Sequence, residues 1–189
     1  MLHLIHKATE IQFTDTFFIP ALRAFGWSYA YEKFFLHPNS NLRSKKSGLK
    51  PTLQAPTIMI PVHIDGFHWV AVVRRIIAGQ TIFFYSDDMN SPSTFESVKR
   101  LLSHSSTLED FHPTDALWVN VLSYTYFPHS NECGPRTILA LAIMALHPSP
   151  DEQIILPYMN PNIAQISRWW VAHTITNAHF DISPFDPTR

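Results

Sequence analysis

One cysteine, Cys133, stands in 189 residues. That excludes an internal disulfide framework and suits a reducing compartment, so the core must hold the fold. Glycine is also scarce, with 5 residues against 15 prolines, which fits rigid loops between short elements. No apolar run is long enough to cross a bilayer: the longest, Ile138 to Leu146, is about half a span. The first 20 residues carry Lys7, Glu10 and Asp15 and no clean apolar block, so a signal peptide is not expected and the chain reads as intracellular, in cytoplasm or nucleus. An excess of one charge is missing too. The net charge is −1, which gives no general attraction to nucleic acid or to a membrane surface. No internal repeat is visible.

What is present is apolar mass. Hydrophobic residues make up 46% and aromatics 13%, enough for a globular core. The expectation is one domain over residues 1–189, with a loose tail at 184–189. Residues 1–12 show no periodicity. Thr14 to Leu36 is densely aromatic and reads as one or two short helices broken near Pro20 and Gly26. His37 to Pro56 is a loop whose Arg43, Lys45, Lys46 and Lys50 read as a solvated basic face.

From residue 57 the pattern turns to strands. The expected class is α+β: a small, mostly antiparallel sheet from about 57–62, 67–77, 80–86 and 116–126, with helices around it. Ser93-Thr94-Phe95-Glu96 is a capping box and predicts a helix over 94–104. Pro148, Pro150, Pro157 and Pro161 punctuate a loop, and Ile163 to Thr174 reads as a last helix.

The stretch Pro128 to Thr137 organises the rest. Pro135 is tolerated in a first helical turn, and Gly134 permits a sharp entry, so a buried helix should begin at Cys133. Unpaired N–H groups at a helix N-terminus favour a thiolate. A catalytic thiolate needs a base and an orienter, and His68 and the pair Asp87-Asp88 lie upstream. The plainer alternative is a small hydrophobe buried in the core.

A two-residue turn at Ala78-Gly79 makes paired residues of the hairpin sum to 157. His68 and Asp87 then share a face as diagonal neighbours and Asp88 points to the other side, whereas a one-residue bulge would reverse the choice and make Asp88 the orienter. Completing the set requires the Cys133 helix to pack on the face of His68 and Asp87.

The residues at this point resemble a family, the ubiquitin-like-protein (SUMO)-specific cysteine proteases within the clan of the adenovirus protease. The resemblance rests on Ile58-Met59-Ile60-Pro61-Val62, on His68-Trp69 opening a strand, on an Asp after Phe84-Tyr85-Ser86, and on Asn-Glu-Cys133-Gly134 at a helix start. It is strongest over 56–146 and keeps the clan's order of His, Asp, Cys. It implies a Cys133 nucleophile, a His68 base and an Asp87 orienter. It implies that Trp69 covers a narrow tunnel admitting a Gly-Gly carboxyl terminus. The expected activity is thiol protease or isopeptidase action on ubiquitin, a ubiquitin-like modifier or a polyprotein. No cofactor or metal is expected. The family's oxyanion glutamine has no counterpart at Tyr126 or Phe127, which leaves the backbone N–H of Cys133 with Tyr126, His129 or Asn131 as candidate donors.

Two other classes fit the same residues: a binding module of this fold with impaired catalysis, and an acetyltransferase of the clan. The latter needs an acyl-CoA, for which no basic site is committed. His63 and His68, five apart near a strand, do not make a helical zinc pair.

Overall fold

The computed structural model describes residues 11–14, 18–30, 55–64, 66–103, 115–122, 132–147 and 149–156. Within them, five strands form one sheet in the order β1-β2-β3-β4-β5: Ile11–Phe13, Thr57–Ile64, His68–Ile77, Gln80–Ser86 and Leu117–Asn120. The helices are α1 (Phe18–Phe25), α2 (Trp27–Ala30), α3 (Pro92–Ser103), α4 (Cys133–Leu146) and α5 (Glu152–Ile155).

The central hairpins are antiparallel, as the sequence suggests. Both outer strands pair in parallel, β1 on β2 and β5 on β4. Strand β1 escaped the sequence reading because three residues are too few to show a period. Strand β5 is shorter than the expected 116–126: Val121 and Leu122 are buried outside it, and 123–130 lie outside the described residues.

The β3–β4 hairpin closes at Ala78-Gly79, both with positive φ (51° and 82°). This is the pair of left-handed residues that a two-residue turn needs to match the strand twist. The ladder runs from Ile77↔Gln80 to Ala71↔Ser86, so the expected sum of 157 holds throughout.

Alternation along β3 divides the core in two. Val70 and Val72 join Phe83 and Tyr85 of β4, Phe18 and Ile19 of α1, and Val98 and Leu102 of α3. Ala71 and Val73 join Phe84 and the buried residues of α4. Helix α4 is apolar almost all round, and seven consecutive side chains, Leu139 to Ala145, are buried. It therefore lies on the face of Ala71 and Val73, opposite Val70 and Val72. That corrects the expectation of a helix on the face of His68 and Asp87. The sequence showed that α4 is buried all round, which hides the face it packs on.

Local breaks differ from the sequence reading in physically simple ways. Pro20 does not interrupt α1 but sits in its first turn, where its missing N–H costs no helical bond. Gly26 does end α1, with φ 79°. Helix α3 starts two residues early, because Ser91 and not Ser93 caps it: Ser91 Oγ accepts from Thr94 N at 3.3 Å, and Pro92 takes the first helical position. The proline-rich loop after α4 contains a short helix, α5, because Asp151 caps it through Ile154 N at 3.0 Å. The expected helix over 163–174 lies outside the described residues.

Candidate active site

Three element ends lie at one end of the central strands, where Cys133 shares a cavity with Trp69, Ser86 and Asp88. β3 begins at His68, β4 ends at Ser86 just before Asp87, and α4 begins at Cys133. Helix α4 runs along β3 and is pinned at both ends. A Cβ added to Gly134 would lie 3.9 Å from the Trp69 ring, and at the far end Arg75 Nη1 donates to the carbonyls of Met144 and His147. Gly134 adopts no positive φ and lies within the helix, so the expected sharp turn is not its role. Ordinary van der Waals space separates it from Trp69.

His68 is 5% exposed and its Nε2 lies 2.7 Å from Asp87 Oδ1. Asp87 is 1% exposed and fully engaged. Besides His68, its carboxylate accepts from Tyr85 Oη (3.1 Å), Met89 N (2.9 Å) and Ser91 N (3.1 Å). Tyr85 shares its face by the strand period of two; the two amides belong to the turn that Asp87 opens, closed by Asn90 N on the Asp87 carbonyl. The same turn explains the bonded amides ahead of α3, so one side chain orients the histidine and shapes the chain.

The charges follow. Burial alone would raise the Asp87 carboxyl, but the His68 contact and the Ser91 and Met89 amides outweigh it and hold Asp87 below its ordinary value. Burial alone would lower His68, but Asp87, aided by Asp88, overcomes it and raises the imidazole above 6.5. Tyr85 is pushed far up by burial and by the Asp87 charge, so it stays a phenol donor.

Asp88 diverges from Asp87 as the alternation predicts, toward α4. Its Oδ2 lies 3.2 Å from Arg136 Nη1. Regular alternation ends at Ser86, however, and the turn swings Asp88 Oδ1 back to 3.7 Å from His68 Nε2. Burial raises the Asp88 carboxyl against the opposing pull of His68 and Arg136. The sequence reading missed Arg136. Its signal was available: an arginine three residues after Cys133, one helical turn on, inside an otherwise apolar helix.

Cys133 is buried and shares a small cavity with Trp69, Ser86, Asp88, Arg136, Thr137 and Ala140. Glu132 places no side-chain cap on α4. Trp69 is half-buried and stacks on His63 with ring centroids 4.3 Å apart. The oxyanion candidates Tyr126, His129 and Asn131 lie outside the described residues. His68, Asp87 and Asp88 bring ligand-type atoms within 4.8 Å of one another. Asp87 already holds four hydrogen bonds, and Asp88 faces a guanidinium, which opposes a cation. Among the described residues no helix is long and apolar enough to cross a membrane.

No curated protein matches this sequence. Solved structures do match the fold. The SUMO protease Ulp1, with its catalytic cysteine oxidised to a sulfonic acid, superposes with a TM-score of 0.59 at 17% identity, covering 93% of this chain and 73% of that one. The C-terminal Ulp1 protease domain in complex with Smt3, the yeast ortholog of SUMO, gives 0.53 at 15% identity over 87% of this chain and 71% of that one. The Rickettsia bellii effector protein RickCE gives 0.50 at 16% identity, covering 66% of this chain and 47% of that one, so this chain spans about half of the effector's length. These identities establish shared architecture. The sequence itself matches the Ulp1 protease family model, C-terminal catalytic domain, over residues 3–168, well beyond the stretch 56–146 that carries the motifs, and the chain therefore belongs to this family of cysteine peptidases.

Proposed function

We propose that this chain is a thiol protease or isopeptidase that cleaves after a Gly-Gly-type carboxyl terminus of ubiquitin or a ubiquitin-like modifier. The observation that carries the reading is the buried His68–Asp87 pair at 2.7 Å, at the end of the central strands where α4 begins with Cys133. Cys133 Sγ attacks the scissile carbonyl, and His68 Nδ1 takes the thiol proton and returns it to the leaving amine. Asp87 fixes the ring through Nε2 and stabilises the imidazolium. A raised imidazole fits this role, because it makes the ring a stronger base for the thiol proton. The backbone N–H of Cys133 supplies one oxyanion donor; Tyr126, His129 or Asn131 supplies a second. Trp69, backed by His63, roofs the approach to Cys133 and admits only a slender chain. The modifier class is supported by the Smt3 complex of a structurally similar domain.

The test is a panel of ubiquitin and ubiquitin-like proteins carrying a carboxyl-terminal electrophile. At least one member should be captured covalently by the parent and none by Cys133→Ala. Tight but non-covalent retention of a modifier by the parent would instead make the chain a binding module of this fold.

A further inference from the structure

The His68–Asp87 pair and the nucleophile helix approach the sheet from opposite faces, so something must fix one against the other. Helix α4 packs beside Ala71, Val73 and Phe84, whereas Asp87 joins Tyr85 on the side of Val70 and Val72. One side chain reaches both. Asp88 places Oδ1 3.7 Å from His68 Nε2 and Oδ2 3.2 Å from Arg136 Nη1. Both partners of the ion pair are nearly sealed from solvent, Asp88 at 6% and Arg136 at 3% exposure. Asp88 Oδ1 has no hydrogen-bond partner among the described residues, and the imidazole lies 3.7 Å from it. Arg136 lies one turn along α4 from Cys133, so a restraint on its guanidinium is a restraint on the turn that carries the sulfur.

We propose that Asp88 and Arg136 are a positioning pair: their ion pair clamps the first turn of the Cys133 helix to the end of the central strands, and the second oxygen of Asp88 adds a counter-charge for the His68 imidazolium. The proposal rests on the reading of His68, Asp87 and Cys133 as the reacting set. Two features set it apart from a plain structural salt bridge. A buried ion pair alone often adds no net stability, because two charges lose their water. And this pair ends within Coulomb reach of the base, where geometry and charge both act on rate. The other charged or titratable groups on this side are Asp87, bonded to the His68 ring, Tyr85, bonded to the Asp87 carboxylate, and His63 one strand away behind Trp69, while Cys133 of α4 shares a cavity with Trp69 and Asp88.

The experiment uses full-length parent, Asp88→Asn, Arg136→Gln and the double variant. The first readout is the NMR titration of the His68 ring, assigned by its disappearance in His68→Gln, and it requires no substrate. Asp88→Asn should move the His68 midpoint to lower pH, by less than Asp87→Asn does. The second is the rate at which Cys133 reacts with iodoacetamide. Each single variant should lose about 10–100-fold, and the double variant should lose no more than the worse single, as expected for two halves of one clamp. An unmoved His68 midpoint in Asp88→Asn overturns the charge role. Multiplying losses in the double variant, or losses that vanish when variants of equal melting temperature are compared, overturn the clamp. Failure of every modifier probe would sink the proposed function and leave these two readouts to decide the clamp by themselves.

Discussion

Helix α4 is held by an arginine at each end, one joining it to β3 and the other to the turn after β4, and the two ends differ in kind. At the far end Arg75, on the sheet, donates to the last carbonyls of the helix. It is half-buried, burial lowers its guanidinium pKa, and it faces a partial negative charge that any helix presents at its carboxyl end. At the near end the arginine is on the helix, its partner is a carboxylate, both are buried, and the carboxylate's second oxygen lies 3.7 Å from the histidine. The far tie answers unsatisfied carbonyls. The near tie introduces two costly buried charges where apolar residues would serve packing equally well. Stability is therefore expected to live at the far end and rate at the near end.

The sharpest way to break that division is at Asp87. Replacing Asp87 by Asn keeps the side chain's size and one acceptor for the turn but removes the charge that orients His68. The kcat for a captured modifier's amide substrate should fall on the order of 10³–10⁴-fold, with the melting temperature moving only a few degrees. A small change in kcat would show that Asp87 serves the turn and not the histidine.

A second measurement sharpens the other side. Arg75→Met keeps the apolar stem and removes the donors to Met144 and His147. The expected loss is about 1 kcal/mol of unfolding free energy, read from denaturant midpoints, with kcat within about twofold of the parent. A fall in rate larger than the fall in stability would mean that the far end also sets the position of Cys133.

The smallest effect is in the pH dependence of stability. His68 is raised above 6.5, so its bond to Asp87 stabilises the fold fully below that value and the contribution fades as pH rises through the raised one. Asp87 is held below 3.8, so its contribution is complete above that value and fades as pH falls through the lowered one. The pair is worth most between the two. The melting-temperature difference between parent and His68→Gln should be greatest between pH 3.8 and 6.5 and shrink as pH rises above that window. A difference that stays constant with pH would contradict the ion-pair account.

Much of the near end was legible in the sequence. The turn at Ala78-Gly79 fixed the hairpin arithmetic, and alternation then put His68 with Asp87 and sent Asp88 elsewhere. What alternation could not supply was the path of the chain once β4 ended. The turn from Asp87 to Asn90 obeys hydrogen bonds to a side chain, not a period of two, and it returns one oxygen of Asp88 to the histidine. The face chosen by α4 was hidden for the opposite reason: a helix apolar on every side carries no stripe to aim. Ser91 displaced Ser93 as the cap because Pro92 prefers the first helical position, a rule the capping-box pattern overrode in the sequence reading.

The Ala78-Gly79 turn sits at the opposite end of the hairpin from the chemistry, seven residues of β4 away. Yet it works as the zero mark of a ruler. Every residue pair between it and the site is counted from that point, and the count decides which of two adjacent aspartates meets the histidine. An insertion of one residue at that turn would touch no reacting atom. It would move each β4 side chain to the reverse face and put Ser86 where Asp87 now stands, and a serine brings no charge to the histidine. In this fold the choice of orienting acid is thus written as a distance along a ribbon, and a loop that no substrate would meet carries the information.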